Sequence, residues 1–118
     1  MIIPTLKRSN RKREYDLYNQ NQIDKVVYKY LFDGVSHRKL DQDVLGLVSE
    51  DSRGYQAMGI LHYLGITKEF KDLFSGIELE KAIELLLINN LEHFSEIIES
   101  FKRTSYKMKT NKNEIELS

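Results

Sequence analysis

Glu69 and Lys71 frame Phe70 in an E-x-K string, with Asp51 upstream. Carboxylates and a lysine in that order could hold a divalent metal and activate a water for hydrolysis. Nuclease sites of that kind rest on adjacent strands, whereas T-K-E-F-K-D-L-F has the apolar spacing of a short helix. His37, His62 and His93 fall on different elements, without metal-ligand spacing, and no H-E-x-x-H, P-loop or G-x-G-x-x-G occurs. With no cysteine there is no thiolate nucleophile, thiolate metal site or disulfide framework. No catalytic residue, metal site or cofactor is expected of this chain.

The chemistry that remains is recognition. From Ser52 to Ile66 the chain reads S-R-G-Y-Q-A-M-G-I-L-H-Y-L-G-I, a helical pattern with glycines inside it. Ala57, Leu61 and Leu64 share one side, flanked by Met58, Ile60 and Gly54. The other side carries Tyr55, Gln56, Gly59, His62 and Tyr63, a mix of donors, acceptors and flat rings around a bare centre. An interior glycine costs roughly 1 kcal/mol relative to alanine. Close approach of another surface to the helix backbone would compensate. Gly54 lies in the first turn, where free N–H groups favour a phosphate. Gln56 can pair bidentately with adenine, and Arg53 could meet guanine or a phosphate. Alternatively, both glycines only relieve a helix–helix crossing, with Tyr55 or Tyr63 partly in the core.

Two further cationic stretches support recognition of a phosphate backbone. Lys7, Arg8, Arg11, Lys12 and Arg13 crowd the N-terminus with only Glu14 against them. A mobile arm of that kind suits phosphates or a narrow minor groove, and its contribution is salt-dependent. Ser36 is a good N-cap, and His37, Arg38 and Lys39 follow it in the first turn of a short helix. The alternative for such charge runs is a solvated surface.

These residues need helices to position them. Ile23, Val27, Tyr30 and Leu31 recur at helical spacing between about Gln20 and Asp33, and Gly34 supplies a stop. The Ser36 helix closes at Gly46. Ser52 or Asp51 is expected to cap the next helix, which Gly65 ends. Phe70, Leu73 and Phe74 mark a short helix, Leu79, Ala82, Ile83, Leu86 and Leu87 a longer one, and Leu91, Phe94, Ile97, Ile98 and Phe101 another. No alternating strand or internal repeat is visible, so the class is all-α. The expected division is a basic arm over 1–15, one helical domain over 16–105 and a flexible tail over 106–118. Within the domain, 16–66 has the grammar of a helix-turn-helix and 67–105 supplies packing helices. The Gly46–Ser52 connection is longer than that motif's turn, which makes it a variant.

The 118 residues suffice for one core, and their formal net charge is zero. The distribution is uneven, basic at both ends and acidic between Glu69 and Glu99. No apolar run reaches the roughly 20 residues of a membrane span, and the basic cluster follows a very short apolar piece, the reverse of a secretory signal. A cytoplasmic protein without membrane contact is expected. The apolar stripes of the late helices, widest at Leu85 to Ile88, leave room for a second copy or a partner protein.

Four strings bear a likeness to known proteins. K-R-S-N-R-K-R-E-Y, Y-L-F-D-G-V-S-H-R-K-L-D, S-R-G-Y-Q-A-M-G-I-L-H-Y-L-G-I and E-F-K-D-L-F resemble the N-terminal region of bacterial HNH-type restriction endonucleases over about the first three quarters of the chain. The resemblance implies a DNA-associated module of a restriction or defence system, with Lys7 to Arg13 and the Ser52 helix as contacts. It does not imply cleavage, since the histidines and asparagine of an HNH site have no counterpart after Tyr106. The expected partner is double-stranded DNA, met by the arm, by Ser36 to Lys39, and by Ser52, Arg53, Gly54, Tyr55, Gln56, Gly59 and His62. The rival is a protein-interaction or oligomerisation module with no direct nucleic-acid contact.

Overall fold

A computed structural model describes residues 3–90 and 94–117, with side chains described over 3–89 and 94–110. Leu91 and His93 lie outside the described residues. The described residues form seven helices and no strand: α1 (Arg13–Leu17), α2 (Gln20–Leu31), α3 (His37–Asp43), α4 (Tyr55–Leu64), α5 (Lys68–Phe74), α6 (Leu79–Asn90) and α7 (Ser95–Leu117).

Local signals explain most of the boundaries. Asn19 opens α2 with a capping box: its Oδ1 accepts from Gln22 N at 2.8 Å, while its own N–H donates to Gln22 Oε1 at 3.1 Å. Ser36 caps α3 by accepting from Lys39 N at 3.2 Å. The inward stripe of α2, Ile23, Val26, Val27, Tyr30 and Leu31, is buried. It packs on α3, α4, α5 and α7, so α2 is the axis of the fold. Phe32, at its C-terminal end, joins Phe74 and Phe101 in one aromatic cluster. Burial of such rings is the largest apolar contribution a small all-α domain can make.

A charged staple fastens α7 to α2. Asp24 is 2% exposed, yet its carboxylate accepts from Ser100 Oγ at 2.7 Å, Arg103 Nε at 2.8 Å, Arg103 Nη2 at 3.0 Å and Gln20 Nε2 at 2.9 Å. A buried carboxylate is tolerable when its lone pairs are filled in this way.

Two expectations about the ends are corrected. The arm is not loose: Lys7 N donates to Gly65 O at 3.3 Å and Ser9 N to His62 O at 2.9 Å, so it lies on the end of α4. Its last residues form α1, which packs on α4. The expected tail from Tyr106 is also helical, continuing α7 to Leu117. Lys107 reaches Asn21 at 2.7 Å and Lys109 reaches Glu80 at 2.6 Å, which ties its first part to α2 and α6. No helix among the described residues is long and apolar enough to cross a membrane.

Candidate nucleic-acid interface

The candidate residues converge on α4, and its first turn is built from outside. Neither Ser52 nor Asp51 caps it. Gly54 is the N-cap, with φ +89°, and has no side chain to offer. Asp41, 1% exposed on α3, accepts from Gly54 N through Oδ2 and from Ala57 N through Oδ1, both at 2.8 Å. A carboxylate from another helix thus stabilises both the N–H groups and the dipole of α4. The phosphate expected there would find those two donors taken. A methyl on Gly54 would lie 2.8 Å from His37 Cβ, so α3 and α4 close upon this glycine. Ser52 is equally withdrawn: it is 1% exposed, donates to Ser49 O at 3.0 Å and accepts from Gln42 Nε2 at 2.8 Å.

Gly59 also has a structural explanation. A methyl there would lie 2.6 Å from Glu14 Cδ and 2.8 Å from Glu14 Oε2. The centre of the outer side is therefore covered by α1 rather than bare. Its neighbours are engaged too. Tyr63 packs against Tyr15 in a tilted pair with ring centroids 4.8 Å apart, and Lys12 Nζ stands 5.8 Å over the Tyr63 ring. Tyr18 Oη donates to Gln56 Oε1 at 3.1 Å. Burial, with Asp41 and Glu14 nearby, pushes the Tyr18 phenol up, so it keeps the proton it donates. Bidentate pairing of Gln56 with adenine would have to compete with that bond. For both glycines the helix-crossing alternative describes what is seen.

What α4 leaves outside is Tyr55, 65% exposed, and His62, with Met58 half-buried between them. A cation borders this strip. Arg11 shares with Ser9, Glu14, Tyr55, Met58, Gly59 and His62 a hollow of about 320 Å³. Arg38 and Arg53 share a second hollow, of about 390 Å³, with Ser49, Glu50 and Ser52. Among the described residues, Lys7, Arg11, Arg13, Arg38 and Arg53 have no acidic partner within 4 Å. Arg8 is paired with Glu96 at 2.9 Å, Lys12 with Asp16 at 3.7 Å and Lys39 with Asp43 at 3.6 Å. Ser36 is exposed but spends its hydroxyl as the α3 cap.

His37 is a packing residue more than a surface cation. Its ring stacks on Tyr30 at 5.1 Å. Burial holds its pKa below the usual histidine value, and His62 and Lys71 push it further down. It is therefore neutral near pH 7.

Two residues that organise this region carried no local sequence signal. Asp41 works through a helix that begins more than ten residues later. Glu14 appeared only as the lone acid within the basic run, and that isolation is the one hint available. Of the E-x-K string, Lys71 stands 5.1 Å over the Tyr30 ring and Glu69 is exposed on α5. Among the described residues, no group of three histidine or carboxylate side chains is placed to hold a metal ion. No family model, curated protein or solved structure matches this chain.

Proposed function

We propose that this chain is a DNA-binding module without catalytic activity of its own, working in the cytoplasm. The observation that carries the reading is the exposed Tyr55–His62 strip of α4 with Arg11 beside it, together with a second hollow lined by Arg38 and Arg53, the three arginines having no acidic partner among the described residues. A flat ring, an imidazole and three fork-shaped donors suit a phosphate backbone with base edges behind it. In this reading α2, α3 and α4 act as a helix-turn-helix variant with a long α3–α4 connection. Lys7 and Arg13 extend the phosphate contacts, while Ser52, Gly54 and Asp41 set the pose of α4. Placement in a restriction or defence system rests on the likeness of the four strings to HNH-type endonucleases.

Fluorescence anisotropy on a random duplex tests the reading. Binding should weaken steeply with salt, with a log–log slope of roughly −0.9 for each phosphate neutralised. Replacing Arg11, Arg38 or Arg53 by alanine should each reduce that slope by about one. No binding at low salt would overturn it.

A protein-interaction or oligomerisation role has its own support. Leu87 and Ile88 on α6 are 40% and 79% exposed, and Tyr106 and Met108 on α7 are 71% and 50% exposed. Self-association that Ile88→Lys abolishes, measured by sedimentation equilibrium, would favour that reading.

A further inference from the structure

The hollow over Gly59 holds an acceptor with nothing to accept. Glu14 Oε2 is occluded from solvent and makes no hydrogen bond. An ionised carboxylate is acceptor-only, so whatever completes this site must donate. The groups around it have the opposite character. Arg11 attracts negative charge, His62 brings an imidazole, Ser9 a hydroxyl and Tyr55 an aromatic ring.

A simple ligand fits this set poorly. A small cation would satisfy Glu14 but face Arg11, and a bare phosphate would satisfy Arg11 but face Glu14. A nucleotide carries what is wanted together: an exocyclic amine, a flat ring and an adjoining phosphate. The glycine supplies depth, since a methyl at Gly59 would take the place of the Glu14 carboxylate. A hollow of about 320 Å³ has room for one base.

We propose that this hollow seats a single unpaired nucleobase bearing an exocyclic amine, with cytosine as the best fit, a seat that presupposes the nucleic-acid reading above. The amine at N4 donates to Glu14, which turns toward it by rotation about its own side-chain bonds. The ring lies against Tyr55, and the neighbouring phosphate meets Arg11.

Anisotropy of the intact chain with short labelled single strands of deoxycytidine and of deoxyuridine tests this, because the bases differ in the group at C4 and the proton at N3. The deoxycytidine strand should bind at least about fivefold more tightly. Glu14→Gln, which keeps the shape and adds a donor, should erase or invert that preference. Tyr55→Ala should weaken both strands alike. Circular dichroism of each variant confirms that the helices persist. Equal binding of the two strands, or a preference that survives Glu14→Gln, overturns the seat. Duplex binding by the wild-type chain without any single-strand binding overturns the seat alone. Loss of both overturns the DNA-binding reading with it.

Discussion

The α2–α7 seam and the α1–α4 seam each bury a carboxylate oxygen, and they treat it in opposite ways. At the first, Asp24 accepts from Ser100, Gln20 and both arms of the Arg103 fork. At the second, Glu14 Oε2 lies on the backbone of α4 with no donor. A buried carboxylate oxygen is therefore not by itself a staple, and Glu14 as a residue is only half-buried. The distinction is whether the fold supplies partners for the group it buries. Asp24 is complete as folded. Glu14 is left with an unpartnered oxygen beside a hollow lined by Arg11, Tyr55 and His62.

Removing the donor at one seam and the carboxylate at the other breaks the comparison most directly. Arg103→Ala strands a carboxylate that is 2% exposed and should cost about 3 kcal/mol, read from the urea midpoint at constant m. Ser100 and Gln20 remain as donors, which keeps the loss from being larger. Glu14→Ala should act in the other direction, raising stability by about 1 kcal/mol, because it removes an occluded acceptor that has no bond to lose. A loss comparable to that of Arg103→Ala would mean that Glu14 is also a staple.

The smallest effect is a pH dependence at the edge of the α4 region. His37 has a folded pKa below its unfolded value of about 6.5, so the unfolded chain binds the proton more readily. Its contribution to stability is whole above about pH 6.5 and declines as pH falls toward the folded pKa. His37→Phe keeps a ring on Tyr30 and should flatten that part of the stability-versus-pH curve. An unchanged slope would remove His37 as its source.

What was legible in the sequence was what neighbouring residues settle among themselves. The Ser36 cap, the stop at Gly65, and the apolar stripes of α2, α5 and α6 are written within a turn or two of where they act, whereas α2 ends at Leu31, short of the expected stop at Gly34. The α4 first turn was not legible, because its cap comes from Asp41 on another helix. Gly59 looks open in the sequence for the same reason: the residue that covers it, Glu14, is distant in the chain and adjacent only in the fold. The extension of α7 past Tyr106 lacks an apolar period, yet it continues a packed helix and is held by polar contacts of Lys107 and Lys109. Of the candidate contacts, Tyr55, His62 and the unpaired arginines remain at the surface. Ser52 and Gly54 serve the architecture.

The Asp24 staple also sets an order of events during synthesis. Arg103 lies 79 residues downstream of Asp24, and Ser100 lies 76 downstream. Contacts of that separation form only after the intervening chain has been made and closed into a loop. Until α7 has been made, a nascent chain therefore carries α2 with the carboxylate hydrated and its apolar stripe only partly covered. The α2 carboxylate is sealed only once α7 has been made.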